Sequence, residues 1–351
     1  MDKILTIVIP TYNMEKYLRK CLDSLIIEDK DLFDTLEVLV VNDGSKDSSS
    51  AIAHEYQDKY PHVFRVIDKE NGNYGSCVNR GLKEATGKYI KILDADDSFD
   101  NTVFIDYLKQ IRDIDADLVF NDFALVNDEN VIIERRQLRL GNKKLVSFNT
   151  LTTRLMCKDV QMHSITYRTH NLRRINYIQA EGISYTDQQW AFTPLSTIKT
   201  VFLTNKMLYL YLVGRVGQTM DMTVRKKNFY QNIICLKKML DDFGKIESPS
   251  DYMIFKLKCH LKGVYYNYLI ESLTDKMDEI LELDKYIAEN NPFIYKELDH
   301  VKLNPIVPLY FIKEWHSNTS LSLPSYYKKL SLIGRAVCKE FRKIGVNIPM
   351  L

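Results

Sequence analysis

The sequence lacks the cysteine patterns that mark zinc-bound or disulfide-rich proteins. Its 351 residues include six cysteines, but these lie far apart, with no CxxC pair and no cysteine–histidine ligand spacing. This argues against a structural zinc site. It predicts reduced thiols, as in a cytosolic protein.

Long apolar runs are also missing. None approaches the roughly 18 residues that a membrane span needs. The first segment, MDKILTIVIPTYN, has an apolar run too short for a signal peptide, and Pro10 interrupts it. We therefore expect a cytoplasmic protein that does not cross a membrane.

Net charge is small. The 48 basic and 46 acidic residues leave +2, which argues against general nucleic-acid binding. The charge is unevenly placed, because residues 325–351 carry +5 and residues 1–324 carry −3. The body is therefore mildly acidic and the tail is basic.

The first hundred residues show a regular alternation of strands and helices. Apolar runs at 5–10, 36–43, 63–68 and 88–93 predict four strands, and apolar residues at helical spacing lie between them. Short connections of this kind predict an α/β fold, a mostly parallel sheet with helices on both faces. Ligands bind beyond the carboxyl ends of such strands. At those ends stand PTYN, NDGS and DADD.

Beyond residue 100 the pattern is mixed. A helix at 102–113 precedes strands in DLVFNDFALV and VIIERR, and VFLTNKMLYLYLV predicts a pair of strands. From about residue 226 almost all periodicity is helical. No internal repeat or low-complexity linker marks a boundary. We expect a domain at 1–222, with halves at 1–98 and 99–222, and a helical region at 223–351.

The acidic loop DADD at residues 94–97 is a candidate metal site. Asp94 and Asp96 stand one residue apart in a turn after a strand, so both carboxylates can face one cavity. Oxygen ligands of this kind suit Mg²⁺ or Mn²⁺, which bind jointly with substrate phosphates. Taken alone, the motif is weak, because acidic triplets at strand ends are usually solvated or cap the next helix. Asp97 and Asp100 can also cap the helix that begins near Thr102.

Together with its companions, the acidic loop resembles the family 2 glycosyltransferases. These are inverting enzymes of the GT-A (Rossmann-like) fold that use nucleotide-diphosphate sugars. The companions are IVIPTYN at 7–13, VVNDGSKDSS at 40–49 and ENGNYGSCVNRGLKEATGKY at 70–89. The resemblance covers roughly residues 4–220 and is most specific over 4–100. It implies transfer of a sugar to a hydroxyl of a glycan or lipid-linked acceptor, in cell-surface polysaccharide synthesis.

The resemblance assigns a nucleobase pocket. Pro10, Thr11 and Tyr12 would line it, with Tyr12 stacking on the base. Asp43 would accept a hydrogen bond from the uracil imide, which favours a UDP-sugar. The alternative for Asp43 is an ordinary turn residue in NDGS.

The third loop would approach ribose and sugar through Asn71, Gly75 and Asn79. Many family members carry Ala-Arg-Asn where this chain has Cys77-Val78-Asn79. Arg80 is displaced by one position, so this loop need not supply a basic contact.

The resemblance also answers why three carboxylates crowd one loop. Asp94 would contact the ribose, with Ala95 beside the donor. Asp96 would bind a Mn²⁺ or Mg²⁺ ion bridging the diphosphate, and Asp97 would support the metal or the loop. A bound cation makes the cluster of charge tolerable.

An inverting displacement needs a base on the opposite face of the sugar. The segment EGISYTDQQWAF at 181–192 places Asp187 in the family's base position, although the usual preceding Glu is Thr186 here. The alternative is that Asp187 only caps its helix. Arg215 would reach the diphosphate unless it is a plain surface residue. His163 would touch the acceptor, complete the metal site or serve the core.

The basic tail predicts an amphipathic helix over 326–345. Leu330, Ile333, Val337, Phe341 and Ile344 form one apolar stripe among basic residues. Such a helix can lie on an anionic membrane surface, dock on the preceding helices or meet a partner subunit. We expect peripheral association with the inner face of the cell membrane, and a homo-oligomer is compatible with the sequence.

Two other functions remain open on the sequence. A nucleotide-sugar-binding or scaffold protein with a decayed site is one, because Thr186 replaces the family Glu. A nucleotidyltransferase is the other. A nucleotidyltransferase needs a basic, glycine-rich phosphate loop early in the chain. The segment PTYNMEK supplies only Lys16 and no glycine, which disfavours this function. The sugar, the linkage and the acceptor are not specified.

Overall fold

The computed structural model describes residues 2–141, 144–156, 160–215, 226–271, 273, 276–304, 309–318 and 323–343. The chain divides into two compact units. The first comprises Met1–Leu151 and Val160–Gln218, and the second comprises Thr152–Asp159 and Thr219–Leu351. Every candidate site residue belongs to the first unit.

The first unit is built on one sheet, in which the described residues form ten strands. These are β1 (Leu5–Thr11), β2 (Leu36–Asn42), β3 (Phe64–Asp68), β4 (Tyr89–Ile92), β5 (Ser98–Phe99), β6 (Leu118–Val126), β7 (Ile132–Arg136), β8 (Lys144–Ser147), β9 (Ile165–Arg168) and β10 (Thr200–Leu212). Their order is β3-β2-β1-β4-β9-β6-β10-β5, with β7 beside β6 and β8 beside β10.

The sheet is parallel in its first half and mixed in its second. β1 pairs in parallel with β2 and β4, and β2 pairs in parallel with β3. β9 runs antiparallel between β4 and β6, whereas β6 and β10 are parallel. Every residue of β1 and β2 is buried. Their continuous apolar runs therefore reflect strands covered on both faces.

Helices cover both faces of the sheet. Those of the first unit are α1 (Leu18–Asp23), α2 (Lys30–Phe33), α3 (Ser49–Lys59), α4 (Asn73–Glu84), α5 (Asn101–Arg112), α7 (Thr169–Arg174) and α8 (Asp187–Trp190). The apolar faces of α1, α3 and α5 share a core with Ile7 and Val38. α4 lies on the other face, where a Cβ at Gly81 would come within 2.4 Å of the Val8 side chain. Asp100 caps α5 by accepting from the Val103 backbone N–H at 3.0 Å.

The predicted strand pair in VFLTNKMLYLYLV is wrong, because this segment is the single strand β10. Its polar centre contains Asn205 with a φ of 51°, a conformation typical of turns, and the polar residues there resemble a turn between two strands. The chain nevertheless continues in the same direction beside β6, with a register shift between Leu203 and Met207. A bulge rather than a hairpin therefore absorbs the irregular residues.

The second unit is helical in its described residues. It contains α6 (Thr152–Leu155), α9 (Tyr230–Phe243), α10 (Asp251–Tyr266), α11 (Met277–Asn290), α12 (Pro292–Leu298), α13 (Phe311–Ser317) and α14 (Tyr326–Lys343). A π-helical turn at Asn267–Glu271 follows α10. No helix among the described residues combines the length and apolarity needed to span a bilayer.

The basic tail docks within the second unit through a face that its apolar stripe does not predict. Tyr327, Ser331 and Gly334 are buried, and a Cβ at Gly334 would lie 2.4 Å from the Asn304 side chain. Ile333 of the predicted stripe is instead 57% exposed, next to Leu332 at 53%. The helix therefore packs within the second unit through small and polar residues, and contact of the stripe with a membrane or a partner stays a prediction. The Phe341 side chain and Ile344 lie outside the described residues.

Candidate active site

The loops that carry the predicted motifs meet at the carboxyl edge of the parallel strands. Thr11, Asn42 and Ile92 end their strands on the same side of the sheet. The first two loops are also tied together, because Asn13 (φ 54°) accepts a hydrogen bond from the Lys46 backbone N–H at 2.7 Å. A single polar cleft edge results, as the parallel alternation predicts.

Asp43 is a buried carboxylate that Lys69 and backbone N–H groups hold in place. Its side chain is 4% exposed, and Oδ1 accepts from Lys69 Nζ at 2.5 Å and from the Gly72 backbone N–H at 2.9 Å. Oδ2 accepts from the Asn73 backbone N–H at 2.9 Å, at the start of α4. Asn71 Nδ2 donates to the Asp43 carbonyl at 2.9 Å and so holds the loop. Sequence reading missed Lys69, whose signal was a lone basic residue directly after β3.

Only one of the three residues predicted for the nucleobase pocket presents its side chain to solvent. Tyr12 is 45% exposed at the mouth of the cleft. Pro10 and Thr11 are buried at the end of β1, and the Thr11 hydroxyl donates to the Ile9 carbonyl at 3.1 Å. Tyr12 is therefore the residue of this group whose ring is available to a base.

Gly75 and Asn79 contact the chain rather than an open cavity. A Cβ at Gly75 would lie 1.8 Å from the Ala180 carbonyl oxygen, so the close approach is to protein backbone. Asn79 accepts from the Gln179 N–H at 2.8 Å and donates to the Gln179 carbonyl at 2.9 Å and to Glu181 at 2.8 Å. Both residues thus fasten α4 to the segment that leads to Asp187. Their predicted contact with ribose and sugar stays a prediction.

A single tyrosine organises the acidic loop. The Tyr209 hydroxyl donates to Asp97 Oδ2 at 2.6 Å and accepts from the Asp94 backbone N–H at 3.1 Å. The Leu212 N–H donates to Asp97 Oδ1 at 2.7 Å, and Ala95 is buried. β10 therefore supplies the scaffold on which the loop turns.

Asp96 and Arg215 form an ion pair at this loop. Arg215 Nε lies 2.6 Å from Asp96 Oδ2, and the two side chains are 18% and 11% exposed. The guanidinium also lies over the Tyr17 ring, 5.5 Å from its centroid. Arg215 is thus not a plain surface residue. Asp96 already has a cationic partner, and its predicted bond to a metal stays a prediction.

Asp94 and Asp97 are carboxyls in an unfavourable environment for charge. Burial, then repulsion from Asp96, raises the pKa of Asp94 to about 7, although the Tyr74 hydroxyl donates to its Oδ1 at 2.7 Å. Burial also raises the pKa of Asp97 well above its usual range, followed by repulsion from Asp96 and Asp94. A cation at this position would favour the ionised carboxylates.

His163 lies beside these two carboxyls. Its ring stacks on Tyr211 at 4.6 Å between centroids and meets the Tyr209 ring edge-on at 4.8 Å. Burial, and then the charge of Lys91, lowers its pKa to about 3, so the imidazole is neutral. A nitrogen of His163 and carboxylate oxygens of Asp94 and Asp97 all lie within 4.8 Å of one another. The chemistry of this set fits a divalent cation.

Asp187 opens α8 and lies on the exposed side of the cleft. It follows Thr186, which is buried and accepts from Gln179 Nε2 at 2.8 Å. After burial and nearer groups, the charge of Asp187 contributes to the raised pKa of both Asp94 and Tyr74. Asp187 is therefore electrostatically coupled to the acidic loop across the cleft.

The mixed α/β sheet, with Asp43 and the Asp94–Asp97 loop at the carboxyl ends of its parallel strands, has the organisation of the GT-A glycosyltransferase fold. The sequence model of glycosyl transferase family 2 matches residues 6–174. The glycosyltransferase MG025 of Mycoplasma genitalium is 37% identical over 231 residues, which cover 62% of this chain and 70% of that protein. The chain belongs to glycosyl transferase family 2.

A second relative is the minor teichoic acid biosynthesis protein GgaB of Bacillus subtilis. It is 38% identical over 317 residues, which cover 85% of this chain but 34% of GgaB. The chain likewise spans a third or less of several other family members.

The fold has a solved counterpart. Residues 1–349 of S. aureus TarS, in a crystal structure with UDP-GlcNAc, superimpose with a TM-score of 0.68 at 18% identity. The match covers 97% of this chain and 92% of that one. The predicted α/β GT-A fold and the family assignment are confirmed.

Proposed function

We propose that this chain is an inverting glycosyltransferase that moves a sugar from UDP to a hydroxyl of a glycan or lipid-linked acceptor in cell-surface polysaccharide synthesis. The proposal is supported by two observations: Asp43 and the Asp94–Asp97 loop follow parallel strands at one edge of the sheet, and the charge of Asp187 acts on Asp94. TarS with UDP-GlcNAc and the teichoic acid protein GgaB support the donor and the polymer class.

Asp43 supports uracil as the base. A carboxylate that pairs with Lys69 and accepts backbone N–H groups presents only acceptor atoms to a ligand. The uracil ring nitrogen N3 donates a hydrogen bond, whereas N3 of cytosine accepts one. Tyr12 offers an exposed ring for stacking at the same mouth.

The reaction needs one proton transfer by the chain. Asp187 takes the proton from the acceptor hydroxyl while that oxygen attacks the anomeric carbon. The bond from this carbon to the diphosphate oxygen breaks, UDP leaves, and the configuration inverts. Arg215 pairs with Asp96 of the acidic loop, and in this proposal its guanidinium also pairs with the leaving diphosphate oxygens.

Metal dependence forms part of the proposal. A divalent cation at the acidic loop supplies positive charge that stabilises the leaving diphosphate. Asp94 belongs both to the predicted pair with Asp96 and to the group that it forms with Asp97 and His163. The chain itself binds and orients the donor through Asp43, Asn71 and Arg215.

Replacing Asp187 separates an enzyme from a binding protein. We expect Asp187→Asn to lower kcat by about 10²- to 10⁴-fold because the base is lost, with UDP affinity within a few-fold of wild type. Asp128→Asn, the same change at an exposed acid in the loop between β6 and β7, is the matched control and should retain most activity. Transfer that survives in Asp187→Asn contradicts the assigned base.

The donor class can be measured directly by calorimetric titration with UDP, GDP, CDP and ADP, with and without Mn²⁺. Ligand at 100 times its Kd stabilises the folded state by about 2.7 kcal/mol, so a thermal shift provides a second readout. We expect selective binding of UDP. Equal binding of all four nucleotides, or of none, contradicts the proposal.

A further inference from the structure

Exposed cations gather where the C-terminal end of α4 meets α7. Lys83 of α4 and Arg174 of α7 are both exposed, and neither forms an ion pair with another described residue. Arg173 is exposed beside them, and its guanidinium donates to the Leu82 and Ala85 carbonyls at 3.1 and 2.5 Å. These two hydrogen bonds hold α7 against the end of α4. The three positive charges therefore belong to one surface.

The acids nearby leave this charge uncompensated. Glu84 in the last turn of α4 pairs with Arg80 at 3.0 Å and with Arg65 at 2.9 Å. Arg65 also lies 3.6 Å from Glu37, so these two acids are balanced by these two arginines. We call the four exposed cations at this junction the basic surface: Arg80, Lys83, Arg173 and Arg174.

The segment after α7 runs along α4, from the basic surface to the loop that precedes α4. Asn79 accepts from the Gln179 N–H at 2.8 Å and donates to the Gln179 carbonyl at 2.9 Å. Further along, the Gly182 N–H donates to the Gly72 carbonyl at 3.2 Å, just before α4 begins. An α-helix rises about 1.5 Å per residue, so about 15 Å of α4 separates Leu82 from this point.

The same segment is fastened to the helix of the proposed base. Gln189 Oε1 of α8 accepts from the Ala180 N–H at 2.8 Å, and its Nε2 donates to the Ile178 carbonyl at 3.0 Å. Asp187 opens this helix and is exposed, as is Ile178. Residues 175–182 contain a single acid, Glu181. A chain lying on this segment would therefore join the basic surface to Asp187.

We propose that the basic surface binds an acceptor chain with repeated phosphate or carboxylate groups, the end of which reaches Asp187. The inference rests on the proposed function and narrows its acceptor class. Guanidinium groups bind phosphate and carboxylate oxygens through paired hydrogen bonds, and lysine adds a point charge. Because about 15 Å of α4 separates the surface from the donor loop, a single sugar unit is too short to reach both.

Lysine acetylation of the full chain, read by peptide mass spectrometry, tests the surface without any variant. Poly(glycerol phosphate) and polygalacturonate are the anionic probes, and dextran is the neutral one. We expect at least one anionic polymer to slow modification of Lys83 by about 10-fold, with loss of this protection at high salt. Dextran should not protect Lys83. Lys59 of α3, on the other face of the sheet, should react equally in all cases.

Three results of this experiment overturn the proposal. The first is that neither anionic polymer protects Lys83, or that dextran protects it equally. The second is protection of Lys328 and Lys329 in place of Lys83, which assigns the polymer to the tail helix. The third is protection of Lys83 by phosphatidylglycerol vesicles and by neither polymer, which assigns the surface to a membrane.

A double variant measures the contribution of the surface to affinity. Lys83→Gln with Arg174→Gln should weaken binding of the protecting polymer by about 10-fold in calorimetry and make its salt dependence shallower. Lys59→Gln with Arg112→Gln removes the same charge from α3 and α5 and is the matched control. Equal losses in the two double variants would mean that the polymer responds to net charge alone, which overturns the proposal.

Titration of the same proteins with UDP separates this inference from the proposed function. UDP binding without protection of Lys83 leaves the transferase standing and removes the anionic acceptor. Protection of Lys83 in a chain that binds no nucleotide removes the donor, and with it the proposed function, and leaves a surface for an anionic polymer.

Discussion

At the scale of the residue, Lys69 is the contact that most changes the chemistry of the cleft. Its ammonium group donates to Asp43, to the Ser76 hydroxyl at 2.9 Å and to the Glu70 carbonyl at 2.5 Å. All three of its donors are therefore used within the protein. Lys69 balances the charge of the buried Asp43 carboxylate, so a ligand at this position meets the acceptor oxygens of Asp43.

We expect Lys69→Met to weaken UDP binding by about 10- to 100-fold, because Asp43 loses the charged hydrogen bond that holds its carboxylate in place for the uracil. CDP binding should change less, because cytosine N3 has no proton to donate to Asp43. The ratio of the two dissociation constants, measured by calorimetry, should therefore narrow. Lys46→Met, at an exposed lysine in the neighbouring loop, controls for loss of charge. An equal loss for both nucleotides would show that Lys69 acts on the phosphates or on folding.

At the scale of the element, α4 packs closely at two glycines, Gly75 and Gly81, and the contact at Gly75 is the tighter. A Cβ atom at Gly75 would lie 1.8 Å from the Ala180 carbonyl oxygen, so the helix would have to move away from residue 180. We expect Gly75→Ala to lower the free energy of unfolding of the first unit by about 1–3 kcal/mol, the usual cost of overpacking.

The matched substitution is Gly263→Ala in α10, where a Cβ meets nothing within 4 Å. There alanine should raise stability by roughly 0.5–1 kcal/mol through helix propensity. Urea unfolding of both variants measures the difference. Similar effects at the two glycines would mean that the contact with Ala180 has been overestimated.

The C-terminal helix α14 has an exposed face that combines apolar and basic residues. Leu332 and Ile333 are exposed beside Lys328 and Lys329, which gives the outer face of the helix both apolar and basic character. We propose that this face contacts anionic membrane surfaces, where each basic residue contributes about 1 kcal/mol.

Replacement of Leu332 and Ile333 by Gln should reduce co-sedimentation with phosphatidylglycerol vesicles and leave the fold intact. Ile234→Gln, at an exposed apolar residue of α9, is the control. Binding that is unchanged in the double variant, or insensitive to salt, would exclude this face.

At the scale of the whole molecule, stability should depend on pH through the second unit. His316 lies between two carboxylates, with Nδ1 2.8 Å from Asp299 and Nε2 3.0 Å from Asp284. Burial opposes its charge, but the hydrogen bonds and charges of Asp284 and Asp299 outweigh burial and raise its pKa above 6.5. The folded state therefore binds the proton more tightly than the unfolded chain.

This contribution is fully present below pH 6.5 and is lost as pH rises through the elevated pKa. We expect the free energy of unfolding of the second unit to fall over that window, and His316→Gln to flatten the fall. His300→Gln, at an exposed histidine of the same unit, should leave the slope unchanged. Urea titrations at several pH values supply the measurement. A slope that persists in His316→Gln would assign it to other groups.

The sequence predicts this molecule best where the signal is local. Apolar runs locate β1 to β4, and a turn after each strand locates Asp43 and Asp94. What it missed comes from residues distant along the chain. Tyr209 is 112 residues from the Asp97 carboxylate that it binds, and Asn79 is 100 residues from Gln179. Periodicity reports which face a residue occupies, but not which distant partner arrives there.

The link between α4 and residues 179–181 has a practical meaning for anyone who wishes to exchange parts between members of this family. The loop at residues 70–72 leads into the first turn of α4. Asn79, in the second turn of α4, holds the backbone that leads to Asp187. A transplanted loop and α4 without their own 179–181 counterpart would therefore also move Asp187, the proposed base. Recombination of donor preference and acceptor chemistry should succeed only when both segments travel together.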